Sequence, residues 1–281
     1  MKPVDSRPCT VCHGPSRLVA ARPEGNQYRC GRCDHCFSGV ETMPEQEHYG
    51  AEYYNERHRA WFENPNIELF DYVLKQIKQV KNGASVLDVG AGRGDLLRYL
   101  RAKDAGLTLT GVDVSPIPPA EGITFMQGDA LEIKIGRRFD AVVALAVIEH
   151  VFDVQKFVRG LSDLCAPGGI VIVMTLNDRS VLYATARLLR RLGYSGPFDR
   201  LYEKHHINHF NVSSLKRLLE VNHLWVKEVH RHNIPMAAVD LPAASRLIGT
   251  ILRAGVWGTF VLGSLLKKTY LQTIVCSHTG R

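Results

Sequence analysis

Short apolar runs alternate with amphipathic stretches from about residue 65 onward, and the period of each run predicts its element. Val86-Leu-Asp-Val89 is the apolar pattern of a buried strand. It runs into Gly90-Ala-Gly92-Arg-Gly94-Asp95, and Leu96 to Leu100 then takes up helical spacing. Leu107 to Val112 predicts a second strand ending at Asp113, the run from Phe139 a further one, and Leu271 to Ser277 a last one. Helices are predicted from about Pro65 to Val80 and from Leu215 to Val221. This order predicts an α/β, Rossmann-like sheet whose first βα turn is the glycine loop.

Such a loop binds a nucleotide-like cofactor, and charge narrows which one. A dinucleotide fingerprint, G-x-G-x-x-G, aims backbone amides and a helix N-terminus at a pyrophosphate. Here the third glycine comes one place early and an acid, Asp95, follows it. A second acid, Asp88, stands two residues before the first glycine, where it repels phosphate and attracts an ammonium. S-adenosylmethionine (SAM) carries an amino-acid ammonium and no phosphate. Asp113, nineteen residues past Gly94, stands where an acid hydrogen-bonds ribose hydroxyls in both cofactor classes.

With these residues the chain resembles the class I SAM-dependent methyltransferases over about residues 80–230. The motifs are Asp88-Val-Gly-Ala-Gly-Arg-Gly94, Gly111-Val-Asp113-Val-Ser, Gly128-Asp129-Ala130, Phe139 through Glu149-His150-Val151, and Ala166-Pro-Gly-Gly169 as the turn before strand five. The resemblance implies a seven-stranded sheet with its last strand antiparallel. It also implies Asp88, Gly90, Gly92 and Gly94 around the methionine end of SAM, Asp113 at the ribose, and Asp129 with Ala130 at the adenine edge. His150 would face the acceptor.

Five of the seven cysteines fall within the first 36 residues: Cys9-x2-Cys12, seventeen residues, then Cys30-x2-Cys33-x2-Cys36. Two such knuckles offer four thiolates to one tetrahedral ion, so Cys9, Cys12, Cys30 and Cys33 are the expected ligands of a structural Zn2+. Cys36 is surplus and is expected in the core. Disulfides are the rival reading, disfavoured in a reducing compartment. The expected organisation is a zinc ribbon over 1–45, a Tyr-rich connector over 46–80 and a catalytic domain over 81–281, with substrate-side insertions at about 178–210 and 235–268. The arrangement resembles bacterial methyltransferases that join a Cys-x2-Cys ribbon and a Tyr-rich connector to a ubiquinone-type catalytic domain, many of them in surface-polysaccharide or specialised-metabolite pathways. That resemblance implies a lid carrying Tyr49, Tyr53 and Tyr54.

Charge adds a second asymmetry. Residues 1–175 hold 20 Lys and Arg against 22 Asp and Glu, whereas residues 176–281 hold 15 against 6. A basic substrate-side third suits an anionic small molecule, RNA or an anionic membrane, and equally a merely soluble surface. The ribbon region, with six basic and five acidic residues over 1–45, has no excess with which to grip phosphates. No secretion signal is read at the N-terminus, so cytoplasm is the default expectation.

The run Lys204-His205-His206-Ile-Asn-His209-Phe210 resembles the segment that closes the acceptor pocket in ubiquinone-type enzymes. His150, His206 and His209 are therefore the candidate catalytic bases, with His205 behind them. In some relatives E-x-x-E-H after strand four holds a divalent ion. Here Ala146 replaces the first acid, which argues against a catalytic metal unless His206 or His209 joins Glu149-His150. Leu241 to Leu266 is apolar but broken by Arg246 and Arg253, and its uninterrupted part is short for a span. It is expected to cover the acceptor pocket or make an oligomer contact, with peripheral membrane contact less favoured. The expected activity is methyl transfer from SAM to a hydroxyl of a small molecule, a sugar or specialised metabolite. RNA base methylation, C- or N-methylation of a small molecule and a non-catalytic SAM-binding or partner-binding role are the alternatives.

Overall fold

The computed structural model describes residues 6–39, 59–133, 135–241 and 246–278. Tyr49, Tyr53 and Tyr54, expected in a lid, lie outside the described residues. Four short strands open the chain: β1 (Arg7–Pro8), β2 (Pro15–Ala20), β3 (Gln27–Cys30) and β4 (Cys36–Ser38). Helices α1 (Arg59–Glu63) and α2 (Ile67–Val80) follow. α2 begins where the Asn66 side chain accepts a hydrogen bond from Leu69 N at 3.1 Å, a cap that satisfies an otherwise orphaned amide.

The next elements build a sheet. They are β5 (Ser85–Val89), α3 (Asp95–Lys103), β6 (Thr108–Asp113), β7 (Ile123–Gln127), β8 (Phe139–Leu145), α4 (Val154–Leu164) and β9 (Cys165–Leu176). After α5 (Val181–Arg191), α6 (Gly196–Leu201), β10 (Asn208–His209) and α7 (Val212–Val221) come β11 (Leu224–His232), α8 (Arg246–Leu265) and β12 (Leu271–His278). Seven strands lie in the order β11-β12-β9-β8-β5-β6-β7. β12 inserts antiparallel between β9 and β11, with Ile274 opposite Val173 and Val229. Central strand residues such as Val86, Leu87 and Val142 are wholly buried, as expected of a parallel sheet covered by helices on both faces.

One turn differs from its expectation. Ala166 to Gly169, expected as the turn before strand five, lies inside β9, where the β8 pairing shifts register. A Cβ at Gly169 would stand 2.7 Å from the Asp140 carbonyl oxygen, so this glycine serves a close backbone approach inside the sheet.

The ribbon does not hang from a linker. β10, from the long insertion after β9, pairs antiparallel with β4, setting Asn208 opposite Phe37 and His209 opposite Cys36. The ribbon sheet therefore ends on a strand of the catalytic unit, and Tyr28 and Phe37 share a core with Ile148, Phe210 and Leu215. A buried ionic knot seals the join: the Asp178 carboxylate accepts from Arg29 at 2.7 Å, from Arg187 at 3.2 Å and from the Tyr202 hydroxyl. Arg179 pairs with Asp34, and Arg190 donates to the Ala21 carbonyl at 3.1 Å. Three of the fifteen basic residues after position 175, Arg179, Arg187 and Arg190, are thus engaged at this join, on the insertion that carries β10.

Candidate active site

The cleft lies outside the carboxyl ends of β5, β6, β8 and β9, where an open α/β sheet leaves a crevice. Its volume is about 1780 Å3. Asp88, Gly90, Gly92, Asp113, Asp129 and Ala130 line the cleft. Gly94 does not line it. With φ of 76° it turns the chain into α3 as that helix's N-cap. At Gly90, φ is 74°, and a Cβ would fall 2.4 Å from Val147 Cγ2, so only glycine keeps the cleft open there. The loop is braced from the second strand: Gly90 N donates to Val112 O, and Gly92 N to Asp113 Oδ2, each at 2.8 Å. Asp113 Oδ1 accepts from Ser115 N, which aims the carboxylate across the glycine turn. Asp129 makes a similar local turn, accepting from Leu131 N at 2.8 Å.

Asp88 differs from these acids. It is 3 % exposed, and among the described residues no donor hydrogen-bonds its carboxylate. Burial, and then the charges of Asp113 and Asp95, push its pKa up to about 7. A buried acid with only like charges nearby is stabilised by an incoming cation. The residues therefore fit the ammonium of SAM and do not fit a pyrophosphate.

After β8 a 3-10 turn, Ile148–His150, brings Glu149 and His150 to the cleft wall. Glu149 accepts from Thr175 Oγ1 at 2.8 Å, and burial pushes its pKa up to about 7. His150 Nδ1 lies 3.0 Å from the His205 carbonyl. A carbonyl only accepts, so Nδ1 carries the hydrogen and Nε2 of the neutral ring keeps its lone pair. The His206 ring stands 4.8 Å from that of His150, with Nε2 3.2 Å from Glu203. Ligand atoms of Glu149, His150 and His206 all lie within 4.8 Å of one another. The structure thus brings His206 to Glu149-His150, the one condition under which the sequence left a metal open.

His209 goes elsewhere. It is wholly buried, packs 4.4 Å from the Tyr202 ring, does not line the cleft, and is held neutral by burial. The pairing of β10 with β4 explains the sorting, since it commits His209 to the shared core and leaves His206 just outside the ladder. Ile207 is the hinge of this arrangement: its N donates to Glu149 O at 2.9 Å and its carbonyl accepts from Ser38 N at 2.8 Å. The ribbon is therefore one residue away from the histidine at the cleft.

In the ribbon, Sγ atoms of Cys9, Cys12, Cys30 and Cys33 lie within 4.8 Å of one another, with Cys9 to Cys33 and Cys12 to Cys30 at 3.5 Å. Zn–S bonds of about 2.3 Å in a tetrahedron require S–S separations near ~3.8 Å, so the four fit one zinc ion. Backbone amides of Val11 and Arg32 point at Cys9 and Cys30 Sγ at 3.4 and 3.3 Å, the support a thiolate needs. Cys36 stands apart, wholly buried, with its thiol pushed up to about 12 by burial. Sequence reasoning missed Trp61 and Phe62 of α1 as walls of the cleft. For the apolar segment that forms α8 the sequence left a pocket cover or an oligomer contact, and Leu252, Val256 and Phe260 of that helix line the cleft.

A seven-stranded sheet with its last strand inserted antiparallel, a glycine loop after its first strand and an acid on the second define the SAM-dependent methyltransferase fold. A profile described as a methyltransferase domain matches residues 55–228, more than half of the chain, and the chain belongs to that family. It is similar to a ubiquinone biosynthesis O-methyltransferase from Azorhizobium caulinodans, 36% identical over 131 residues, covering 43% of this chain and 51% of the relative. The chain spans about half the length of the curated relatives it matches. Its fold is like that of the Burkholderia thailandensis 1,6-didemethyltoxoflavin-N1-methyltransferase solved with S-adenosylhomocysteine, at TM-score 0.55 and 14% identity over 94% of this chain and 99% of that one. A methyltransferase chain in complex with the Haloferax volcanii Trm112 activator aligns at TM-score 0.53 and 16% identity, over 82% and 93%.

Proposed function

We propose that the protein transfers the methyl group of SAM to a hydroxyl of a small molecule. One observation carries this reading: a cation-seeking acid, Asp88, and a proton-accepting cluster, Glu149, His150 and His206, line one cleft. When bound, SAM supplies a methyl already activated by positive sulfur. The chain's own residues must then hold the amino-acid end, align the acceptor, exclude water and take a proton. Asp88 binds the ammonium, Asp113 the ribose hydroxyls, and Asp129 with Ala130 flanks the adenine. His150 Nε2, its tautomer set by the His205 carbonyl, accepts the hydroxyl proton. Glu149, poised near neutrality, holds positive charge on that ring.

The relative's name, an O-methyltransferase, supports oxygen as the nucleophile. The test is methyl transfer from labelled SAM across phenols, sugars and amines. His150→Ala is expected to lower kcat on a hydroxyl acceptor by about 10²–10⁴-fold, the usual worth of a positioned base, with SAM affinity unchanged. Equal loss on an amine acceptor that needs no base would overturn the assignment. A second reading rests on the same cluster: Glu149, His150 and His206 fit a divalent ion that would orient the acceptor oxygen. Loss of turnover in chelator, restored by added Mg2+ or Mn2+, would select it.

The acid at the glycine loop also sets a pH dependence. A cation binding to Asp88 must displace the proton held with pKa of about 7. SAM affinity is therefore expected to fall by up to about tenfold per pH unit as pH drops below 7, and to level off above it. Calorimetry between pH 5.5 and 8.5 would show the slope, and a flat profile would contradict the contact. We propose further that Cys9, Cys12, Cys30 and Cys33 hold a structural zinc ion with no open coordination position and no catalytic task.

A further inference from the structure

α8 carries two apolar faces, and only one of them has work inside the fold. Leu252, Val256 and Phe260 wall the cleft. On the outward side Leu247 is 72 % exposed, Ile251 61 %, Trp257 59 %, Leu262 47 %, Leu265 76 % and, just past the helix, Leu266 54 %. A surface helix of a soluble domain shows charged and polar residues there. Among the described residues nothing covers this side. α5 packs beside α8, and Leu188 on it and Leu192 just past it are also 55 % and 73 % exposed. Single exposed leucines need no explanation, but a continuous patch of this kind marks an interaction surface.

We propose that this face docks the protein on an anionic phospholipid bilayer, with α8 lying in the plane of the interface. Charge selects this occupant. From Leu241 to the C-terminus the chain has no acidic residue, and Arg246, Arg253, Lys267 and Lys268 flank or interrupt the apolar run. A second copy meeting the same face across a two-fold axis would set these cations against one another with no carboxylate of the segment between them. Lipid phosphates supply a partner for the exposed Lys267 and Lys268, whose long stems can lie along the apolar surface.

The attachments of α8 select the orientation. The stretch Leu247–Leu265 is long and apolar enough to cross a membrane. Its C-terminal end is tied down, however: Asn233 donates to Phe260 O at 3.3 Å and to Ser264 Oγ at 3.1 Å, and Val181 N donates to Lys268 O at 3.0 Å. β12 follows within a few residues and is locked between β9 and β11. A spanning helix would have to break these contacts and open the cleft wall, whereas an interfacial helix keeps them and buries only its outer side. The proposal is independent of the acceptor chemistry, since it concerns a face that the cleft does not use.

Flotation of the full chain with phosphatidylcholine vesicles, with and without phosphatidylglycerol, tests it. The expected result is at least about tenfold more protein bound to the anionic vesicles, and reversal of that preference by high salt. Leu262→Glu with Leu265→Glu should lower binding by at least about tenfold while SAM binding and thermal midpoint stay as in the parent. Should that pair of substitutions impair folding, quenching by lipid-borne quenchers gives a second reading in the intact protein, and Trp257→Phe should remove most of the quenchable emission. Absence of flotation, equal binding to neutral vesicles, or a dimer in sedimentation that the same pair of substitutions dissociates would each overturn the proposal.

Discussion

Asp88→Ala is expected to weaken SAM binding by about 10²–10³-fold while leaving the protein folded. The size follows from removing one partner of a buried charge pair, which costs about 2–5 kcal/mol, most of it from stranding the other charge. The structure adds a signature that separates a binding role from a structural one. Asp88 has a folded-state pKa of about 7, above its ordinary 3.8, because burial and then Asp113 and Asp95 disfavour its charge. A raised acid contributes stability that is fully present below pH 4 and is lost as pH rises through 7. At pH 8 the ligand-free parent therefore holds an uncompensated buried charge, and the alanine variant is expected to melt at the same temperature or higher. Calorimetry and thermal melts together check this. A variant that melts lower at pH 8, or one that keeps its SAM affinity, would remove Asp88 from the site.

Cys9→Ser is expected to release one zinc equivalent, lower the thermal midpoint by about 10 °C or more, and reduce methyl transfer further than it reduces SAM affinity. Loss of a structural ion costs at least a few kcal/mol, and a domain of this size shifts by ~2–4 °C per kcal/mol. The unequal effect on turnover comes from connectivity. Ser38 of the ribbon holds Ile207, Ile207 holds Glu149, and His206 precedes it. Among the described residues the glycine loop has no such tie to the ribbon: its braces come from Val112 and Asp113 on β6. Turnover and SAM affinity falling in equal proportion, or a variant that keeps its fold without metal, would show that the ribbon does not position the cleft histidine.

Legibility followed the range of the interactions involved. The glycine loop, the acid before it and the acid on the next strand were readable because they lie within 26 residues and are set by turn geometry and strand period. The cysteine knuckles were readable for the same reason. The histidines were not sorted: Lys204-His205-His206-Ile-Asn-His209 offers three rings at a cleft, and no spacing rule says which one turns into a core. That choice was made by β4, some 170 residues earlier, when it paired with β10 and drew His209 inward. The basic excess after residue 175 was legible as charge but not as direction. Arg187 and Arg190 turn toward the ribbon join because Asp178 and the Ala21 carbonyl are there to receive them.

Local sequence alone determined the individual strands around the glycine loop, the SAM-type turn and a four-thiolate cluster, since each depends on residues near one another and on backbone sterics that act over a few bonds. Tertiary structure alone decided that the ribbon shares a core with the catalytic unit, that Glu149, His150 and His206 meet, and that one side of α8 walls the cleft while the other faces outward. Those outcomes depend on strand pairing and burial between segments far apart in the chain, where the energy lies in which surfaces close on each other, and no local pattern encodes that.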